Sequence, residues 1–248
     1  LMEGISQEAI SFAGHQKLNK LIVLFDDNGI TIDGSTDLAT SEDQIARFQA
    51  SGWNTMSIDG HDEAAIDKAI EEAKKSDKPT MIACKTTIGF GFPTQAGTSK
   101  AHGAITGDDE IAGLRSALGW EHEPFVIPQD VMDAWGTIGL RGQSEKEAWD
   151  ARLAAADEAT KANWDLAHGG DYSKALSDAV VAYKKELAKD MPKVASRKAS
   201  EMAINAIADA VPGFIGGSAD LTGSNLTKAS NQDPVQADNY GGGYIYYG

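Results

Sequence analysis

The spacing of apolar and polar positions changes period several times along the chain, and each change marks an element. Over "SQEAISFAGHQKL" (Ser6 to Leu18), small and apolar residues recur at helical spacing, with Ser6 placed as an N-cap. "KLIVLF" (Lys20 to Phe25) is a short continuous apolar run, the pattern of a buried parallel strand. "SEDQIARFQASG" (Ser41 to Gly52) opens on a serine cap and stops on glycine, which predicts a helix. "WNTMSI" (Trp53 to Ile58) predicts a strand. "HDEAAIDKAIEEAKKS" (His61 to Ser76) predicts an amphipathic helix, and "PTMIACKTT" (Pro79 to Thr87) another strand. Alternation of this kind predicts βαβ units, a parallel sheet and an α/β fold.

A Gly-rich loop follows, Ile88 to Gly107, of a length that is usually functional in a compact domain. Helical patterns then cover Asp108 to Leu118, Gln129 to Trp135, an Ala-rich charged stretch from Ser144 to Ala167, and Asp171 to Lys189. The region from about Glu145 to Pro192 reads as a helical connector. Near Val194 the α/β pattern restarts. "ASRKASEMAINAIADAV" predicts a helix capped by Ser196, "GFIGGSAD" a buried strand, and "LTGSNLTKASNQDP" a polar loop.

Ligands of open α/β sheets bind outside the carboxyl ends of the strands. Three segments leave such ends: Asp26 to Ile30, Asp59 to His61, and Thr86 to Gly103. The first lies in "LFDDNGITIDG", which allows two readings. Asn28-Gly29 is a strong hairpin-turn signal. Clustered acidic and amide oxygens also suit a hard cation. The buried strand before it favours a loop at the ligand edge. By charge, Asp26 and Asp27 are the obvious ligands; they are equally placed to cap the turn. Asn28 offers a side-chain oxygen, and the Ile30 carbonyl can turn inward beside it.

Other candidates carry the same double reading. His102 is either a site residue in the Gly-rich loop or surface decoration. Glu3 and Glu8 flank a helix start, where acidic residues favour the dipole. Arg197 and Lys198 open a helix, where basic residues are either a surface pair or anion ligands beside the N-terminus.

Composition removes some classes of function. The net charge of −15 argues against a nucleic-acid footprint. No apolar run approaches the roughly 20 residues that span a bilayer. No basic-then-apolar leader is visible. Cys84, the single cysteine, sits in an apolar run and reads as a small buried residue, which suits a reducing, cytoplasmic setting. The chain opens on Leu1-Met2 and closes on "GGGYIYYG", ends that read as those of a fragment.

"LMEGISQEA", "KLIVLFDDNGITIDG", "DGHD", "CKTTIGFG", "AGTSKAHGA", "ASRKAS" and "GGSADLTGSNLT", in this order, resemble transketolase over essentially the whole chain. The likeness is weakest in the connector and from about Asn231 to Gly243. It implies a parallel-sheet thiamine diphosphate-binding fold, incomplete, with a helical connector and the start of a second α/β domain. Residues 1–144 would be the second half of the diphosphate-binding domain, 145–193 the connector, and 194–248 the start of the pyrimidine-binding domain. The activity implied is transfer of a two-carbon ketol unit from a ketose phosphate to an aldose phosphate in the pentose phosphate pathway. The cofactor carries the C–C chemistry. The implied cofactors are thiamine diphosphate and Mg²⁺, Ca²⁺ or another divalent cation; the implied partners are sugar phosphates and a second subunit in a homodimer.

Residue by residue, the resemblance makes Asn28 and the Ile30 carbonyl ligands of the cation, in place of Asp26 and Asp27. Ile30 and Ile88 would pack near the cofactor rings. His102 would lie near the diphosphate and the reacting centre, and Asp220 close to the cofactor. Arg197 and Ser224 would bind substrate phosphate. Glu3 and Glu8 would belong to a carboxylate network that crosses the dimer interface. The family's Gly-Asp-Gly before "LMEGIS", which supplies a metal ligand, and its activating glutamate after "YIYYG" are not in the sequence. The expectation is an internal fragment that is inactive alone. The alternatives are a related thiamine enzyme (dihydroxyacetone synthase or 1-deoxyxylulose-5-phosphate synthase) and a non-catalytic phosphate-binding α/β module.

Overall fold

The computed structural model describes residues 4–103, 107–211 and 213–248. The chain divides into two compact units, Leu1–Pro128 and Gln129–Gly248.

The first unit runs α1 (Ser6–His15), β1 (Ile22–Asp27), β2 (Ile30–Thr31), β3 (Gly34–Ser35), α2 (Gln44–Ala50), β4 (Asn54–Asp59), α3 (Glu63–Ala73), β5 (Thr80–Lys85) and α4 (Asp108–Ala117). β1, β5 and β4 form a parallel sheet in that spatial order. The central strand explains the continuous apolar run in its sequence. Met81 and Ala83 pack with Ile10 and Ala13 of α1, Phe48 of α2 and Trp53. Ile82 faces the other way, with Ala69 and Ala73 of α3. Successive strand residues point to opposite faces, so a strand covered by helices on both sides has no polar face to show. β2 and β3 form a separate antiparallel pair.

Helix starts differ from the sequence expectation by a few residues. Ile5 already has helical angles, so Ser6 lies inside α1 and makes no cap. α2 begins after Asp43, not Ser41, because the extended Asp43 backbone lets Oδ1 accept the Ala46 N–H at 2.9 Å. Asp62 caps α3 in the same way, through Ala64 and Ala65.

The second unit holds α5 (Gln129–Leu140), α6 (Gln143–Ala155), α7 (Glu158–Ala167), α8 (Ser173–Asp190), α9 (Ser196–Ala208), β6 (Gly216–Ser218), α10 (Thr222–Asn225) and β7 (Tyr244–Tyr246). The Ala-rich stretch is two helices. Asp157 turns extended and caps α7, its carboxylate accepting from Thr160 N at 2.9 Å and Thr160 Oγ1 at 2.7 Å. Ser196 is the first residue of α9; the cap position is Ala195, which has no polar side chain to offer. β6 and β7 pair in parallel. Tyr244, the first residue of β7, is buried, its hydroxyl 3.0 Å from Thr222 Oγ1 and 2.6 Å from Thr227 Oγ1. Among the described residues, no helix is long and apolar enough to cross a membrane.

Candidate functional site

The sheet register sets three strand ends side by side: Asp27 pairs with Lys85, and Asp59 pairs with Lys85 from the other side. The Lys85 ammonium makes an ion pair with Asp27. The Thr86 hydroxyl donates to Asp26. The carboxylates favoured by charge are therefore already engaged by protein groups.

Beyond Asp27 the chain turns at Asn28 and at Gly29, whose φ is +71°. Asn28 Oδ1 accepts the Ile30 N–H at 2.9 Å, and Asn28 Nδ2 donates to Asp26 at 3.3 Å. This Asx-type turn fixes the amide side chain against its own loop. Asn28-Gly29 does not close a hairpin, since β1 pairs with β5 and not with β2. The small hairpin comes next, with Thr31 paired to Gly34 around Ile32 and Asp33. The stretch is thus a strand exit followed by a hairpin. It borders an open cleft of about 780 Å³ lined by Asn28, Gly29, Ile30, Thr31, Asp37 and Lys85, among others.

The Gly-rich segment after β5 folds back on itself. The Ile88 carbonyl accepts Gly97 N–H at 2.9 Å, and the Thr98 carbonyl accepts Ala101 N–H at 3.1 Å. It ends in a 3₁₀ turn, Ser99–His102, packed beside β2. The fold therefore brings the Asn28–Ile30 turn and the His102 turn to one side of the sheet edge, with Ile88 on the same segment as His102. Glu8 is exposed in the first turn of α1. Glu3 lies outside the described residues.

In the second unit Arg197 is exposed in the first turn of α9, while Lys198 pairs with Glu201. Asp220 follows β6 with a left-handed backbone, φ +57°, a conformation that aspartate tolerates better than most residues. Ser224 is exposed in α10, its N–H donating to the Leu221 carbonyl at 3.0 Å.

Cys84 is half-buried, and burial together with the Asp26 carboxylate pushes its thiol up. That is the opposite of what an activated nucleophile needs. Among the described residues, no cluster of three or more His, Cys, Asp or Glu side chains could hold a metal ion. What the loop offers is amide and backbone oxygen, the donor class of a hard cation that shares its shell with phosphate. These donors fit a cation–diphosphate group as part of a shell. By sequence His61 reads as surface or core decoration. Its ring accepts the Thr87 N–H at 2.9 Å; the available signal was the position of "DGHD" at a strand's carboxyl end.

The family model described as "Transketolase, thiamine diphosphate binding domain" matches residues 1–169. The chain is 50% identical over 248 residues to a transketolase of Cereibacter sphaeroides, covering all of this chain and 37% of that protein. It is 43% identical over 253 residues to transketolase 1 of Escherichia coli K12, again covering all of this chain and 38% of the relative. Among solved structures, a Pichia stipitis transketolase complex with sedoheptulose 7-phosphate superposes with a TM-score of 0.85 at 37% identity, over all of this chain and 38% of that one. Transketolase from Leishmania mexicana superposes with a TM-score of 0.87 at 34% identity, over all of this chain and 37% of that one. The chain thus spans a little over a third of the length of these relatives. A family model matching more than half of the chain, identity sustained along its whole length, and one shared backbone path lead to one assignment: the chain belongs to the transketolase family and includes residues of its thiamine diphosphate binding domain.

Proposed function

We propose that this chain is part of a longer transketolase that moves a two-carbon ketol unit from a ketose phosphate to an aldose phosphate. The observation that carries the reading is the β1 exit. Asp26, Asp27 and the Asn28–Ile30 turn all line the cleft, the two aspartates are tied to Thr86 and Lys85, and the His102 turn packs alongside. Asn28 Oδ1 and the Ile30 carbonyl would hold Mg²⁺ or another divalent cation on the diphosphate. Ile30 and Ile88 would pack on the cofactor rings. His102 would hold a proton near the diphosphate and the reacting oxygen. When bound, thiamine diphosphate supplies the nucleophilic carbon and electron sink for the C–C bond. Asp220 would lie near the cofactor, and Arg197 and Ser224 would anchor substrate phosphate, Arg197 as a charged donor. Glu8, with Glu3, would serve a carboxylate network between two subunits of a homodimer in the cytoplasm.

The proposed division is a diphosphate-binding part over 1–144, a connector over 145–193 and the opening of a pyrimidine-binding part from 194. On this reading the 248-residue chain alone transfers no ketol units at enzymatic rates. The chain spans only 37% and 38% of the length of two of the transketolases it matches. The test is ketol transfer from xylulose 5-phosphate to ribose 5-phosphate, measured for the full-length protein and for this chain. Transfer by the full-length protein only is expected. Enzymatic rates from this chain alone, or transfer only to formaldehyde, or only from pyruvate to glyceraldehyde phosphate, would contradict it.

A further inference from the structure

The His61 side chain joins two loops at the carboxyl edge of the sheet, and the proposed cofactor contacts do not use it. β4 ends at Asp59, whose Oδ1 accepts the His61 N–H at 2.9 Å. Gly60 brings this turn against the exit of β5. Its N–H donates to the Lys85 carbonyl at 2.8 Å, and a Cβ there would lie 2.5 Å from Thr86 Cγ2 and 3.0 Å from the Lys85 oxygen. That approach sets the imidazole over the next loop. Nε2 accepts the Thr87 N–H at 2.9 Å. The ring stacks on Phe90 with centroids 4.2 Å apart and planes at 26°. An acceptor at Nε2 carries no proton, so the imidazole that makes this bond is neutral, with its proton on Nδ1.

We propose that His61 is a positioning residue for the cofactor loop, an inference that rests on the roles given above to Ile88 and His102. By accepting the Thr87 amide it fixes the root of the segment that carries both. Backbone hydrogen bonds close that segment at several points. The Thr87 carbonyl accepts Phe90 N–H at 3.1 Å, the Ile88 carbonyl accepts Gly97 N–H at 2.9 Å, and the Thr98 carbonyl accepts Ala101 N–H at 3.1 Å, next to His102. The two contacts of the ring do different things. The stack covers one face of Phe90, and the Nε2 bond fixes the direction of the Thr87 amide and hence of Ile88.

His61→Phe keeps a ring on Phe90 and removes the acceptor; His61→Gln removes the ring and keeps an acceptor oxygen. In the full-length protein, amide hydrogen exchange is measured over residues 86–103, with the strands 22–27 and 80–85 as internal reference. Thiamine diphosphate affinity in the presence of Mg²⁺ is measured alongside. For His61→Phe, exchange over 86–103 is expected to rise, and affinity to fall, by roughly two- to tenfold, the effect of one hydrogen bond. The strands are expected to exchange as before, and His61→Gln to restore both readouts. The proposal is overturned if the two variants behave alike, if exchange rises in the strands as much as in the loop, or if the loop loosens with no change in affinity. Exchange behaving as expected in a protein that binds no thiamine diphosphate would support the loop anchor and overturn the cofactor reading beneath it.

Discussion

The indole Nε1 of Trp53 donates to the Ile10 carbonyl at 2.8 Å, a buried hydrogen bond between residues 43 positions apart. It ties the residue before β4 to α1, and Phe48 meets the same indole edge-on at 5.0 Å. Trp53→Phe keeps most of the apolar contact and removes the donor. The expected cost is about 1–3 kcal/mol of stability, measured by urea unfolding. No change in the midpoint would show that this bond does not hold α1 in place.

Gly14 lies in α1 where a Cβ would sit 1.7 Å from the Ser51 carbonyl oxygen. Alanine gains about 1 kcal/mol in helix propensity over glycine, but here it must push backbone away. Overpacking costs about 1–3 kcal/mol, occasionally more, and an approach this close to rigid backbone falls at the upper end, so the clash decides the sign. Gly14→Ala is expected to lower the thermal midpoint, and a rise would contradict this packing.

Lys85 and Asp27 form an ion pair at the sheet edge, but the lysine side chain is 66% exposed. Exposed pairs contribute about 0–1 kcal/mol. Lys85→Met is accordingly expected to leave denaturation by urea nearly unchanged. A loss above about 2 kcal/mol would show the pair to be structural.

The Asp157 carboxyl is held below its ordinary range by its backbone and side-chain hydrogen bonds to Thr160. A depressed folded value means stabilisation that is fully present above the unfolded value, near pH 4. It is lost as pH falls through the folded value. Helical signal from α7 is expected to decline on acidification below pH 4, and less steeply in Asp157→Asn, which cannot titrate. Carboxyl ¹³C titration of Asp157 checks the direction; a value at or above that of a free aspartate would contradict it.

Much of the first unit was legible in the sequence, because hydrophobic period reports burial directly. Pro79 to Thr87 reads as a buried strand because helices cover both faces of the central β5. Lys20 to Phe25 carries the same apolar pattern, but β1 is an edge strand without a buried residue, and its Leu24 is exposed. Caps were less legible. Ser6, Ser41 and Ser196 are good cap residues by type, but the cap is fixed by which residue turns extended, and that was Asp43 for α2. The break at Asp157 was hidden inside an Ala-rich run whose composition favours helix throughout. At the site, charge pointed to Asp26 and Asp27, and pairing across the sheet shows both engaged. That pairing joins residues 58 and 60 positions apart, which no local pattern displays. His61 reads as decoration for the same reason, since its partner amide belongs to another loop.

The central claim is that the Asn28–Ile30 turn holds a cation-bound diphosphate. Calorimetric titration of thiamine diphosphate into the full-length protein, with and without Mg²⁺, tests it most directly when Asn28→Ala is compared with Asp37→Ala, a change elsewhere in the cleft lining. Saturable binding that requires the cation, weakened at least tenfold in Asn28→Ala and little changed in Asp37→Ala, is the result expected. Equal affinity in wild type and Asn28→Ala, or binding indifferent to Mg²⁺, would contradict it.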